Sequence, residues 1–342
     1  MEPKDRYIEA TLEKLFGEYD WSKSFQSKQI LWYDEVLPSE VLIVIHKWLR
    51  RKCADIENIL LITTHHLGIS KWWKDWCENN HEKSFEIQEK FFINSPRWGD
   101  RFFKNVPPLP TVDFFVKNKN ISRLFSFYGG SYAKHDREYL VLAMLKFFDV
   151  AEIEFMGKFS PKQILLDYAE NILYYKDQLE IHYLSQVYDR FIVDGVLSRE
   201  SIFSQKQIIQ EKLNFTGRQW QVDRHCWASV VRETANDDFY PCLTEKTLRA
   251  FMNHVAVMPI GFGAVIEMEK LGFWFPHEII DYSYQFEKIF SARVKGLTVA
   301  LEKIHKLYSF ERLQEHYLDN IEKFQHNAKL VYKYIENKES YQ

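Results

Sequence analysis

Four stretches of this chain have nearly uninterrupted apolar centres, and each is followed by a polar turn and then a segment of helical periodicity. They are Gln29-Ile-Leu-Trp-Tyr-Asp34, Asn58-Ile-Leu-Leu-Ile-Thr-Thr64, Cys226-Trp-Ala-Ser-Val-Val231 and Ala256-Val-Met-Pro-Ile260. A strand with one wet face alternates apolar and polar residues. A continuous apolar strand is covered on both faces, which is the condition of a parallel sheet between helices. The intervening segments fit. Ser39 caps a helix over Glu40 to Lys52 with Val41, Leu42, Val44, Ile45 and Leu49 on its apolar side, and Ser70 opens another through Trp72, Trp73 and Trp76. Further strands are expected at Ile121–Tyr128, Ala151–Met156 and Phe273–Phe275, and a helix at 264–271. Asp136 is read as the cap of a helix through Leu140, Leu142, Leu145 and Phe148. The expected fold is α/β and doubly wound, with two Rossmann-like units. Residues 1–160 form the first unit, 161–225 a helical linker region, 226–300 the second unit and 301–342 C-terminal helices.

At 342 residues the chain is long enough to bury a full core without disulfides or a structural metal. Its four cysteines, Cys53, Cys77, Cys226 and Cys242, match no zinc spacing and are read as reduced thiols. The charged start of the chain lacks the apolar stretch of a signal peptide, and no apolar run is long enough for a transmembrane helix. The expectation is a cytoplasmic protein without a membrane partner. A net charge of −3 argues against a surface that is basic throughout. No G-x-G-x-x-G follows an expected strand, which disfavours a dehydrogenase.

In open α/β sheets, ligands sit beyond the carboxyl ends of strands, beside helix N-termini. That rule selects Asp34/Glu35, His65/His66, Gly129/Gly130, and Arg232/Glu233 with Thr244 to Thr247. In the last group a strand ends in Arg-Glu-Thr and a helix begins Thr-Glu-Lys-Thr. Helix-start N–H groups, the threonine hydroxyls and Lys246 suit phosphate oxygens, and Glu245 matches a ribose diol. The same residues also describe an ordinary capped helix whose Glu and Lys face solvent.

The segments Val230-Val-Arg-Glu-Thr234, Leu243-Thr-Glu-Lys-Thr247, Val257-Met-Pro-Ile-Gly261, Leu271-Gly-Phe273 and Ile280-Asp-Tyr-Ser-Tyr284 together resemble a pattern of many phage and large-virus proteins. The Thr-Glu-Lys block resembles the donor-binding element of GT-B glycosyltransferases, including the fucosyltransferase-like group. The stretch from Tyr128 to Arg137, with His135, resembles that family's first-half Arg/His element. The tail reads Asp-Tyr-Ser-Tyr-Gln where the family has a second acid, which leaves Asp281 without an assigned role. The resemblance implies two Rossmann-like domains facing a central cleft and a nucleoside diphosphate sugar as co-substrate. Arg232, Glu233, Thr244, Glu245, Lys246, Thr247 and Gly261 become donor-site candidates.

Cationic side chains and a helix N-terminus can stabilise a leaving diphosphate, so neither a cofactor nor a metal is required. Asp237 and Asp238 are adjacent rather than alternating and read as a solvated turn. A general base is expected across the cleft, among Asp34, Glu35 and His66. Between 94 and 123, six basic residues face two acids, and Arg97, Trp98, Arg101 and Lys104 combine charge with an aromatic ring. With His135 and Arg137 they form the acceptor-side candidates. Such a stretch suits a DNA backbone and an extruded base, so a hydroxymethylated base in double-stranded phage DNA is the expected acceptor. A glycan or small molecule is the alternative, and a non-catalytic binding protein of the same fold is the third reading.

Overall fold

The computed structural model describes residues 10, 12–13, 28–33, 37, 39–53, 55–64, 66–90, 106, 108–128, 140, 143–154, 223–233 and 239–336. The fold is mixed α/β, with seven strands and eight α-helices among the described residues. Strand β1 (Gln29–Tyr33) leads to α1 (Ser39–Lys52), β2 (Ile59–Thr63), α2 (Ile69–Asn79) and β3 (Glu86–Glu89). These strands form a parallel sheet of order β1-β2-β3. Helix α3 (Val112–Asn118) precedes β4 (Arg123–Tyr128), and a 3-10 turn at Leu145–Val150 precedes β5 (Ala151–Glu154). Strand β6 (Cys226–Val231), α4 (Glu245–Met252), β7 (Ala256–Pro259) and α5 (Ala264–Lys270) follow. Three helices close the described chain: α6 (Phe290–Leu307), α7 (Phe310–Asp319) and α8 (Ile321–Glu336).

The second sheet is parallel, in the order β5-β4-β6-β7. β4 and β5, grouped with the first strands in the sequence reading, pair with the later ones, so the sheets do not divide at residue 160. The expected linker region 161–225 lies outside the described residues up to 222. β6 is buried on all six residues because β4 and β7 flank it and helices cover its faces. Two apolar clusters correspond to the two sheets. The larger holds Phe125, Phe127, Trp227, Val230 and Met258 with Leu248 and Phe251 of α4 and Leu297, Leu301, Tyr317 and Phe324 of the last helices. The smaller holds Leu31, Leu42, Trp48, Leu61, Trp73 and Phe85.

Three expectations need correction. β3 carries Glu86, Gln88 and Glu89, with only Ile87 buried. It gave no apolar run because it is an edge strand, where charge blunts further pairing. Phe273–Phe275 joins no sheet; Phe273 and Phe275 instead pack around the Phe251 ring at 4.5 and 5.7 Å. The basic stretch is also not a continuous loop. Residues 112–118 are helical, Lys119 is buried, and Arg123 lies in β4 with its Nε 3.2 Å from Glu152. The Asp136 cap lies outside the described residues.

A fully buried carboxylate, Asp223, ties the start of β6 to the rest of its sheet. Ser126 Oγ on β4 donates to Asp223 Oδ1 at 2.7 Å, Asn253 Nδ2 donates to Oδ2 at 2.7 Å, and Lys119 Nζ donates to the Asp223 carbonyl at 2.9 Å. Burial holds the Lys119 ammonium down at about 8, against the pull of the Asp223 charge. All four cysteines are buried and free, and no helix of the described residues is long and apolar enough to cross a membrane.

Asp223→Ala strands the Ser126 and Asn253 donors in the interior and removes the carboxylate charge that faces Lys119. It is expected to lower the unfolding free energy by about 3 kcal/mol or more, measured by urea denaturation. Because Lys119 titrates lower in the folded than in the unfolded chain, the unfolded chain binds the extra proton between about pH 8 and the ordinary lysine range. The Lys119 contribution to stability therefore rises with pH across that window. Denaturation of the parent and of Lys119→Met at pH 7.5 and 9.5 should show it as a difference of slopes.

Candidate functional site

Strand order sets where a ligand can enter. From β4 the chain moves to β5 on one side, and from β6 it moves to β7 on the other. At such a reversal of strand order, beyond the carboxyl ends of β4 and β6, open α/β sheets hold their ligands. Tyr128 ends β4, and Arg232 and Glu233 follow β6 directly. The N-terminus of α4 stands beside them, supplied by the next residues in the same β-α-β unit.

Glu233 organises this corner. It is 3% exposed, and its Oε1 accepts the Thr244 N–H at 3.1 Å and the Thr247 hydroxyl at 2.6 Å. Its Oε2 accepts the Thr244 hydroxyl and lies 3.9 Å from Lys246 Nζ. Thr244 is the N-cap residue of α4, as expected, yet its side chain makes no cap hydrogen bond. The strand-end carboxylate caps the helix from outside and sits where the helix dipole favours negative charge. Glu233 is thus committed to the protein and is not an open contact for a donor.

The remaining donor-side candidates divide by exposure. Arg232 is 4% exposed, its Nη1 donates to the Glu233 carbonyl, and burial draws its guanidinium down to about 10. Glu245 is largely buried. Burial works to raise its carboxyl, but Lys246 and Arg249, with hydrogen bonds from its own N–H and Thr244, hold it below the ordinary value. Lys246 keeps a quarter of its side chain in solvent, 3.6 Å from Glu245 Oε1. Among the described residues at this corner, Arg232, Lys246 and Arg249 face two carboxylates, Glu233 and Glu245. Gly261 opens the turn after β7, and a Cβ there would stand in ordinary contact with the Pro241 Cβ, 3.4 Å away, in the loop that feeds α4.

His66 belongs to the same neighbourhood from the other sheet. Residues 66 and 242 form an antiparallel bridge, and the Leu67 N–H donates to Pro241 O at 3.2 Å. The His66 ring is fully buried, stands edge-on to Tyr240 at 5.0 Å, and accepts the Leu37 N–H on Nε2 at 2.8 Å. The lone pair on Nε2 is occupied by the Leu37 N–H of its own unit, and the bridge from residue 66 to residue 242 joins the two units. Asp34, Glu35, His65, Arg97, Trp98, Arg101, Lys104, His135, Arg137, Asp237 and Asp238 lie outside the described residues.

Sequence reasoning missed Arg249, Glu89 and Gln285. The i, i+4 spacing of Glu245 and Arg249 was a usable signal. Glu89 Oε2 accepts the Gly68 N–H at 2.8 Å and its Oε1 the Ser70 N–H at 2.7 Å, so α2 too is capped by a glutamate at a strand end. Gln285 Oε1 accepts the Val265 N–H at 2.8 Å and caps α5. Neither has a local sequence signature, because both act across the fold. No group of His, Cys, Asp and Glu able to hold a metal occurs among the described residues. No family model matches the chain, and no curated protein or solved structure matches it.

Removing the Glu233 carboxylate leaves the Thr244 N–H and two hydroxyls buried. Glu233→Ala is expected to cost about 3 kcal/mol in chemical denaturation, and Glu233→Gln less, because the amide oxygen can still accept.

Proposed function

We propose that the protein is a glycosyltransferase that moves a sugar from a nucleoside diphosphate sugar to a hydroxyl acceptor, with its two sheet units in a GT-B-type arrangement. The observation that carries this reading is the switch point between β4 and β6, bordered by a capped helix start and a partly exposed Lys246. Lys246 and the positive end of the α4 dipole meet the charge that develops on the leaving diphosphate. Arg232 and Arg249 act behind them, raising the local potential from buried positions. Glu245 lies next to Lys246 and accepts from the ribose diol. The step is written without a metal, since cations and the helix dipole supply the charge stabilisation.

The base that takes the acceptor proton is assigned to Asp34 or Glu35, which follow β1 directly. A carboxylate is preferred to His66, whose Nε2 already accepts a backbone N–H. The acceptor is proposed to be a hydroxymethylated base in DNA. Two of the six basic residues invoked for it are engaged, Lys119 in the interior and Arg123 with Glu152. That proposal therefore rests on Arg97, Trp98, Arg101 and Lys104, with a glycan or small-molecule acceptor as the second reading.

The test is a thermal-shift and calorimetric screen against uridine, guanosine, thymidine and cytidine diphosphate sugars. One nucleotide family should raise the melting temperature, and Lys246→Met should weaken its binding about tenfold or more, equal to ~1.4 kcal/mol. Glu245→Ala should also weaken binding, but with a loss of stability, because it leaves the buried Arg249 without its carboxylate. Equal donor affinity in the parent and Lys246→Met would remove the donor assignment.

A further inference from the structure

Phe239 combines a fixed backbone with an exposed ring. Its relative exposure is 56%, whereas the next residue, Tyr240, is 1% exposed and Cys242 is 2% exposed. Tyr240 is held by its hydroxyl, which donates to Leu37 O at 2.7 Å, and Pro241 accepts the Leu67 N–H. The Phe239 ring is therefore presented from a bend whose next two residues are anchored. It leans on the half-buried indole of Trp72, centroid to centroid 5.4 Å and 37° between planes. Trp72 in turn stands edge-on to Tyr240 at 5.5 Å and 6.4 Å from Trp73, which is stacked on Trp76 and Phe85.

The position of this pair is specific. Trp72 lies in the first turn of α2, and Phe239 lies in the segment joining Glu233 to the start of α4. The two rings thus come from different sheet units and meet at the seam made by residues 66–67 and 240–242. The same short segment carries Phe239 at one end and Thr244 to Lys246 at the other. The Tyr240 hydroxyl beside them is committed to Leu37 O. An exposed ring backed by a second one offers a π face of the kind on which a nucleobase stacks.

We propose that Phe239 and Trp72 form the stacking platform for the base of the nucleotide bound at the α4 helix start. This rests on the donor reading above and names the part of the ligand that reading leaves unassigned. Lys246 then fixes the phosphates, and the platform fixes the base through contacts that both sheet units supply.

The experiment uses the full chain and titrates the four nucleoside diphosphates, their hexose conjugates, inorganic pyrophosphate and free hexoses, with tryptophan fluorescence as one readout and calorimetry as the other. The parent should bind one nucleotide family with quenching of indole emission. Phe239→Ala should weaken that nucleotide about tenfold, the range for losing one base stack, while pyrophosphate affinity and melting temperature stay unchanged. Phe239→Tyr keeps the ring and should restore binding. If the parent binds a nucleotide and Phe239→Ala binds it equally, the platform is overturned and the donor reading stands. If pyrophosphate weakens in parallel, the ring supports the helix start and the platform is overturned. Dependence of free hexose rather than nucleotide on Phe239 overturns the base assignment. No binding of any nucleotide by the parent removes the platform and the donor reading together.

Discussion

Strand β6 pairs with β4 across the long stretch of chain between Glu154 and Cys226, and the candidate site exists only where those two strands lie side by side. Closing so long a loop has an entropic cost, and a parallel pair has no hairpin to hold its register. Asp223 meets that requirement at the entry to β6. It links Ser126 on β4, Asn253 after α4 and Lys119 after α3 in one buried network. Backbone hydrogen bonds extend the clasp, from Asn120 N–H to Arg224 O and from Ser122 and Arg123 N–H to His225 O. An ionised or strongly polar cluster in an apolar core is tolerated because every element it touches supplies a partner.

The same solution appears at helix starts. Glu89 after α2 and Glu233 before α4 each place a carboxylate from a strand end onto the N-terminus of a helix. The helix dipole and the unpaired N–H groups make that location favourable for negative charge. Each carboxylate also pins the helix to its sheet, so the geometry of the strand ends is transmitted to the helix. At α4 the result is a polar corner fixed by the protein itself, with Lys246 partly exposed beside it.

Among the described residues, His66, Leu67, Leu37 and Trp72 from the first sheet unit contact Phe239, Tyr240, Pro241 and Cys242 from the second, by a bridge, hydrogen bonds and ring contacts. A side-chain hydrogen bond between His66 and Leu37 stiffens the first unit at that point. The segment that makes this joint runs directly into Thr244, so the joint and the helix start share one piece of backbone.

The sequence by itself determined the elements that carry a local apolar pattern. β1, β2, β6 and β7 were legible as apolar runs, although Ile30 of β1 is exposed, and α1, α2, α4 and α5 from helical periodicity, because burial of a strand or of one helix stripe requires such a pattern. The Arg232 to Thr247 constellation was legible too, since a strand end and the next helix start are neighbours in sequence. Three things required the tertiary structure. β3 was invisible because an edge strand needs polar residues. Glu233 changed from ligand contact to helix cap, a distinction that depends on where a buried carboxylate points. The switch point arose from β4 lying beside β6, and no residue pattern records which distant strands pair. Burial is written locally in residue types; adjacency is decided by packing and hydrogen bonding between segments far apart in the chain.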